Sequence, residues 1–124
     1  MQFLKHSCYT RQEISEGVGG GSVHDFLPNE NGRVLCACLS QEYDPSARQV
    51  VLVGTGPGVQ MQGEMLCAHK SAIPVFFKQK GHLWEYAGKF VPESWTEDPD
   101  VLSEFAESSG RVNLTKVIYL KEIC

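Results

Sequence analysis

VVLVGTGPG (residues 50–58), a helix-like stretch ending MLCAHK (65–70), IPVFFK (73–78) and HLWEYAGKFV (82–91) follow one another along the chain. In that order they predict a buried strand, a glycine turn, a helix and two further strands. Aromatics alternate along the last of these. Period-two geometry would set Trp84, Tyr86 and Phe90 on one face, with Gly88 leaving a gap among them. A flat aromatic wall with a gap suits a planar ligand, which points to a binding module more than to an enzyme.

Working outward, VLCACL (34–39) is apolar on both alternating faces, as a central strand covered on both sides requires. Between it and the second central strand at 50–53, EYDPSA (42–47) reads as a loop, because Pro45 pushes Asp44 away from helical geometry. The helix after the glycine turn is predicted over 60–70, and 73–78 pairs with 82–91 through Gln79-Lys80-Gly81 as a hairpin. Upstream, Thr10 and Glu13 have capping-box spacing, so a short helix starts after Thr10 and ends near Gly17. Residues 22–32 read as loop. Downstream, EDPDVLSEFAESSG (97–110) has acids in its first turn and Gly110 past its end, the pattern of a third helix. A strand over 112–120 closes the chain. The expectation is an α+β fold, a single domain over 1–124: a small, mixed, partly closed β-barrel with two or three flanking helices.

With 124 residues the chain buries about two-thirds of its unfolded surface. Its 42% apolar and 21% charged residues are ordinary for a globular protein. No apolar run reaches the ~20 residues of a membrane span, and the N-terminus is too short for a signal-peptide apolar region. Five scattered cysteines suit buried thiols in a reducing compartment, so an intracellular location, cytoplasmic or nuclear, is expected. The net charge of −4 counts against nucleic-acid binding by phosphate neutralisation alone. Charge is uneven, however. Residues 66–90 hold Lys70, Lys78, Lys80 and Lys89 against the single acid Glu85, whereas residues 91–110 hold acids and no base.

Catalytic signatures are weak. No serine lies in a nucleophile elbow and no cysteine in a protease motif. Cys/His pairs two residues apart lack the spacers of structural zinc. Val59 replaces the last glycine of a dinucleotide fingerprint, and no Gly-Lys-Ser/Thr ends the turn. No cofactor, metal or catalytic residue is therefore expected, and GTGPG reads as a turn supplying positive φ angles. Tyr43 stands apart from the strand aromatics. An exposed loop ring beside a carboxylate can stack on a base for ~1–3 kcal/mol, while the acid accepts from an exocyclic amine such as cytosine N4.

The order of these motifs resembles the SRA (YDG) domain, the reader of methylated cytosine within the PUA-like superfamily. The matching series runs through His24 to Pro28, Gly32, residues 34–40, Glu42-Tyr43-Asp44 and residues 50–53. It continues with Thr55-Gly56-Pro57-Gly58, Pro74-Val75-Phe76-Phe77 and Trp84-Glu85-Tyr86-Ala87-Gly88-Lys89-Phe90, covering about residues 22–95. The opening YTRQEI with its triple glycine is similar to domains found with HNH nucleases of restriction or defence systems. The resemblance implies a saddle-like barrel that flips a modified base from duplex DNA into a pocket. Tyr43 would be its stacking ring and Asp44 an acceptor, and the turn at Thr55, Gly56 and Gly58 would let backbone approach the ligand. Trp84 and Tyr86 would complete the wall, and Arg48, Lys70, Lys78, Lys80 and Lys89 would meet phosphates. The chain departs from the family where Val53 and Gly54 replace its second stacking aromatic, and Pro45 and Ser46 its further acids.

The acidic balance keeps other readings open. The same barrel could bind a free nucleotide or another planar small molecule, or dock a protein through the acidic face at 93–107. A small hydrolase using His69 or His82 with a nearby acid is a third possibility.

Overall fold

The structure, a computed structural model, describes residues 2–123. Its chain order is β1 (Cys8–Tyr9), α1 (Arg11–Val18), β2 (Asn29–Glu30), β3 (Arg33–Val34), β4 (Ala37–Leu39), β5 (Val50–Val53), α2 (Pro57–Cys67), β6 (Ile73–Lys78), β7 (Trp84–Thr96), α3 (Pro99–Ser109) and β8 (Lys116–Glu122). The main sheet runs β4-β6-β7-β8-β5, with β1 added on β7, and β2 pairs β3 in a separate ribbon. Only β4 and β6 run parallel in this mixed sheet; its other pairs are antiparallel. The α+β, partly closed barrel expected from the sequence is present at this level.

Two bulges in β7 explain the curl. Val75 lies opposite Gly88 and Phe76 opposite Tyr86, leaving Ala87 unpaired. Pro92 lies opposite Leu120 and Ser94 opposite Tyr119, leaving Glu93 unpaired. Each extra residue bends the strand and raises its twist. The long strand therefore pairs β6 with one half and β8 with the other, and the sheet wraps into a half-barrel. Its end strands β4 and β5 share no ladder. Gln41 spans their seam, its Nε2 donating to the Val50 carbonyl at 2.6 Å.

Local chemistry explains the helix ends. The Thr10 side chain accepts from the Glu13 amide while the Glu13 carboxylate accepts from the Thr10 amide, the capping box read from the sequence. Asp98 caps α3, and Gly110 ends it in the left-handed region at φ 75°. The second helix starts three residues earlier than expected, because Pro57 is pre-organised for a first helical position. Residues 29–34 form a ribbon rather than loop: Asn31 and Gly32, at φ 53° and 76°, make the turn between its strands. The strand expected over 34–39 is broken as a result, since the Leu35 amide turns to the Pro28 carbonyl at 2.8 Å.

The sheet buries both faces. Ile73, Val75 and Phe77 of β6 join Val51, Val53, Leu66 of α2, Phe90 and Ile118 in the inner core. Phe76, between them, points outward into a smaller cluster with Ile14 of α1, Cys36, Cys38 and Tyr86. The unpaired Ala87 corrects one expectation. It shifts the alternation by one residue, so Trp84 and Tyr86 lie in the outer cluster whereas Phe90 enters the inner core. No single aromatic wall exists. No described cysteine is bridged, and Cys36 and Cys38 are buried on one face, as the sequence suggested. Their mutual hydrogen bond, with burial, pushes the Cys36 thiol well up. Among the described residues, no helix is long and apolar enough to cross a membrane.

Candidate functional site

The open seam between β4 and β5 continues into a groove. Two adjoining clefts of about 340 and 980 Å³ share Ser40, Gln41, Leu52 and Arg111. Both fall within the ~300–1,000 Å³ usual for ligand sites. One end holds Tyr43 and Asp44 from the loop after β4; the other holds Gly54, Val59 and Gln62, where β5 turns into α2. The floor is apolar, and its rim carries amide, hydroxyl, carboxylate and guanidinium groups.

Tyr43 is half-buried, its ring stacked on Phe77 with centroids 4.6 Å apart and planes 17° apart. Phe77 belongs to the inner core, so the loop ring is held flat from behind instead of swinging free. Burial raises the Tyr43 pKa, keeping its hydroxyl protonated. The ring also walls off a second cleft of about 260 Å³ that holds Arg48 and Lys121. Asp44 is exposed, and its Oδ1 accepts from the Ser46 hydroxyl at 2.7 Å and the Ser46 amide at 3.0 Å. Those two bonds, the hydroxyl first, hold its carboxyl below the usual range. Arg111 reaches across the seam to the Ser40 hydroxyl at 2.6 Å, and Gln62 accepts from the Leu27 amide at 3.3 Å.

The other residues anticipated from the sequence are dispersed. Thr55, Gly56 and Gly58 are exposed on the turn into α2, and of that turn only Gly54 lines the groove. The expected positive φ angles are not found there; Gly56 has φ −60° and ψ 140°, and Pro57 starts the helix directly. Trp84 and Tyr86 sit on the opposite face of the sheet from Tyr43, because β6 alternates between Phe76 and Phe77. Arg48 flanks Tyr43, bound to Glu93 at 3.4 Å and lying 4.7 Å over the Tyr119 ring. Lys78 lies 6.0 Å over Trp84, Lys89 lines a separate cleft on the outer face, and Lys70 and Lys80 are exposed. These lysines do not gather around Tyr43.

Sequence reasoning overlooked Arg111, Gln41, Gln62 and Lys121. None belongs to a motif; the curl of the sheet brings Arg111, Gln41 and Gln62 to the seam and Lys121 to the cleft beside Tyr43. For the hydrolase reading, His69 Nδ1 faces the Ser71 carbonyl at 2.7 Å, the cleft it lines contains no acid, and His82 is exposed. Among the described residues, no cluster of three His, Cys, Asp or Glu side chains could hold a metal ion.

No protein-family model, curated protein or solved structure matches this chain. The likeness to the SRA domain rests on the order of motifs.

Proposed function

We propose that this chain is a non-catalytic DNA-binding module, an SRA-type member of the PUA-like superfamily. On this reading it acts inside the cell and recognises a methylated or hydroxymethylated cytosine flipped into the seam groove. One observation carries it: the loop bearing Tyr43 and Asp44 borders the same groove as Gly54, the residue that opens the turn after β5. Flipping costs a few kcal/mol, which stacking on Tyr43 at ~1–3 kcal/mol and edge hydrogen bonds must offset. Phe77 behind Tyr43 removes the entropy cost of ordering that ring on binding. Asp44, ionised at neutral pH, accepts from cytosine N4, and the amide groups of Gln41 and Gln62 supply further edge contacts. Arg48, Arg111 and Lys121 flank the ring where phosphates of the same strand would pass.

Fluorescence anisotropy with duplexes differing at one cytosine tests this reading. The modified duplex should bind at least about tenfold more tightly, and Tyr43→Ala should erase the difference, as loss of a base stack predicts. Equal affinity for both duplexes would falsify it.

The dispersal of Lys70, Lys78, Lys80 and Lys89 favours a second reading, in which the groove takes a free nucleotide or other planar small molecule. Salt separates the two. Duplex affinity held by several phosphate contacts falls steeply with ionic strength, whereas affinity for a small planar ligand hardly changes.

A further inference from the structure

On the outer face, the N-terminal segment, the end of α1 and strands β6 and β7 enclose a cleft of about 510 Å³. Its lining is mixed: Phe3 and Val18 give it apolar surface, with Tyr86 buried at the edge of the outer cluster and Val34 and Ile73 at the edge of the inner core. Its rim carries Arg33, His69 and Lys89, and no acid among the described residues lines it, although the chain as a whole has a net charge of −4. Two acids lie nearby without lining it. Glu122 Oε2 is bound to Lys5 Nζ at 2.6 Å, and Glu30 stands opposite Arg33 across the β2–β3 ribbon.

The floor is also pre-shaped. Phe3 packs edge-on against Phe76 and Tyr9, at centroid distances of 4.9 and 5.0 Å, and tilted against Tyr86 at 5.6 Å. Gly17 makes room for it: a methyl group there would stand 2.4 Å from Phe3 Cζ. Arg33, His69 and Lys89 come from different segments, β3, the loop after α2, and β7, and only the fold brings them to one cleft. His69 Nδ1 donates to the Ser71 carbonyl at 2.7 Å, which fixes the ring at the edge of the cleft.

We propose that this cleft is a second ligand site, for a small organic anion with a planar body, of the nucleoside monophosphate class. A guanidinium fork and an ammonium match a phosphate head, and the aromatic floor matches a ring. An inorganic ion would use the rim alone and a neutral nucleoside the floor alone, so both parts of the ligand are needed.

The test uses the full chain without DNA and adenosine monophosphate as probe, followed by amide chemical shifts. The expected result is saturable shifts centred on Arg33, Tyr86 and Lys89. Arg33→Ala and Lys89→Ala should each weaken binding about tenfold or more, as loss of a charge-assisted hydrogen bond predicts. Adenosine and orthophosphate should each bind at least about tenfold more weakly than the nucleotide. Both substituted residues are exposed, so the fold should tolerate either change. The proposal fails if the nucleotide gives no saturable shift up to ~5 mM, about five times a Kd of 1 mM, which corresponds to only about −4 kcal/mol. It also fails if both variants bind as well as the parent, or if the shifts centre on Tyr43. The Tyr43→Ala variant should bind the nucleotide normally, which separates this site from the seam groove.

Discussion

The inner and outer faces of the sheet are built on different scales. The inner core is broad and drawn from the body of the chain, with Leu27, Val51, Leu66, Phe77, Phe90 and Ile118 meeting beneath α2. The outer cluster is small and completed by the N-terminal segment, which brings Phe3, Tyr9 and Ile14 against Phe76 and Tyr86. The broad core specifies the half-barrel, whereas the outer cluster fastens the start of the chain to it. Each proposed site lies at a margin. The groove opens where the inner core reaches the seam, and the basic cleft where the outer cluster thins.

Neighbouring phenylalanines test this difference most strongly. Phe76 and Phe77 are both fully buried and point to opposite faces. Phe77→Ala should cost about 3–5 kcal/mol, because it leaves a cavity and strips the backing from Tyr43. Phe76→Ala should cost less, since the N-terminal segment can settle into the space and the cost depends on how far a site collapses. Urea unfolding midpoints at constant slope measure both. An equal or larger loss at Phe76 would mean that the outer cluster, too, is a primary core.

A smaller effect is expected at Gly17. Gly17→Ala puts a methyl group 2.4 Å from Phe3 Cζ and should destabilise by about 1–3 kcal/mol. Phe3 is the part that must yield, so the loss should shrink sharply in a Phe3→Ala background. Thermal unfolding of the double-mutant cycle reads that coupling. Additive losses would show that Phe3 does not seat on α1.

Much of this architecture was readable from local patterns, and the failures have physical causes. Strands β5 and β6 match their expected ranges, and the first and third helices follow from Thr10-Glu13 and from Asp98 with Gly110. The error over Trp84, Tyr86 and Phe90 arose because a bulge at Ala87 leaves no trace in an alternating pattern. Tyr43 and Asp44 were marked by composition, but the stack on Phe77 is a contact between residues far apart in sequence. Arg111 and Gln41 carry no local signal at all. They matter only once the sheet has curled and left its ends unjoined.

The smallest effect belongs to Asp44, at the outermost margin of the inner core. Its carboxyl is held below the ordinary range by the Ser46 hydroxyl and then by the Ser46 amide. A depressed carboxylate contributes stability that is present above its unfolded value, about 3.9, and is lost as pH falls through its lower folded value. The gap in Tm between the parent and Asp44→Asn should therefore be small and flat near neutrality and should close below about pH 4. Asparagine keeps an oxygen for Ser46 but brings a donor where the carboxylate only accepts. The substitution should accordingly weaken binding of either duplex, since the N4 amine is common to plain and modified cytosine, far more than it weakens the fold. A stability loss approaching that of Phe77→Ala would instead make the Tyr43 loop part of the inner core, leaving no margin there for a ligand to enter.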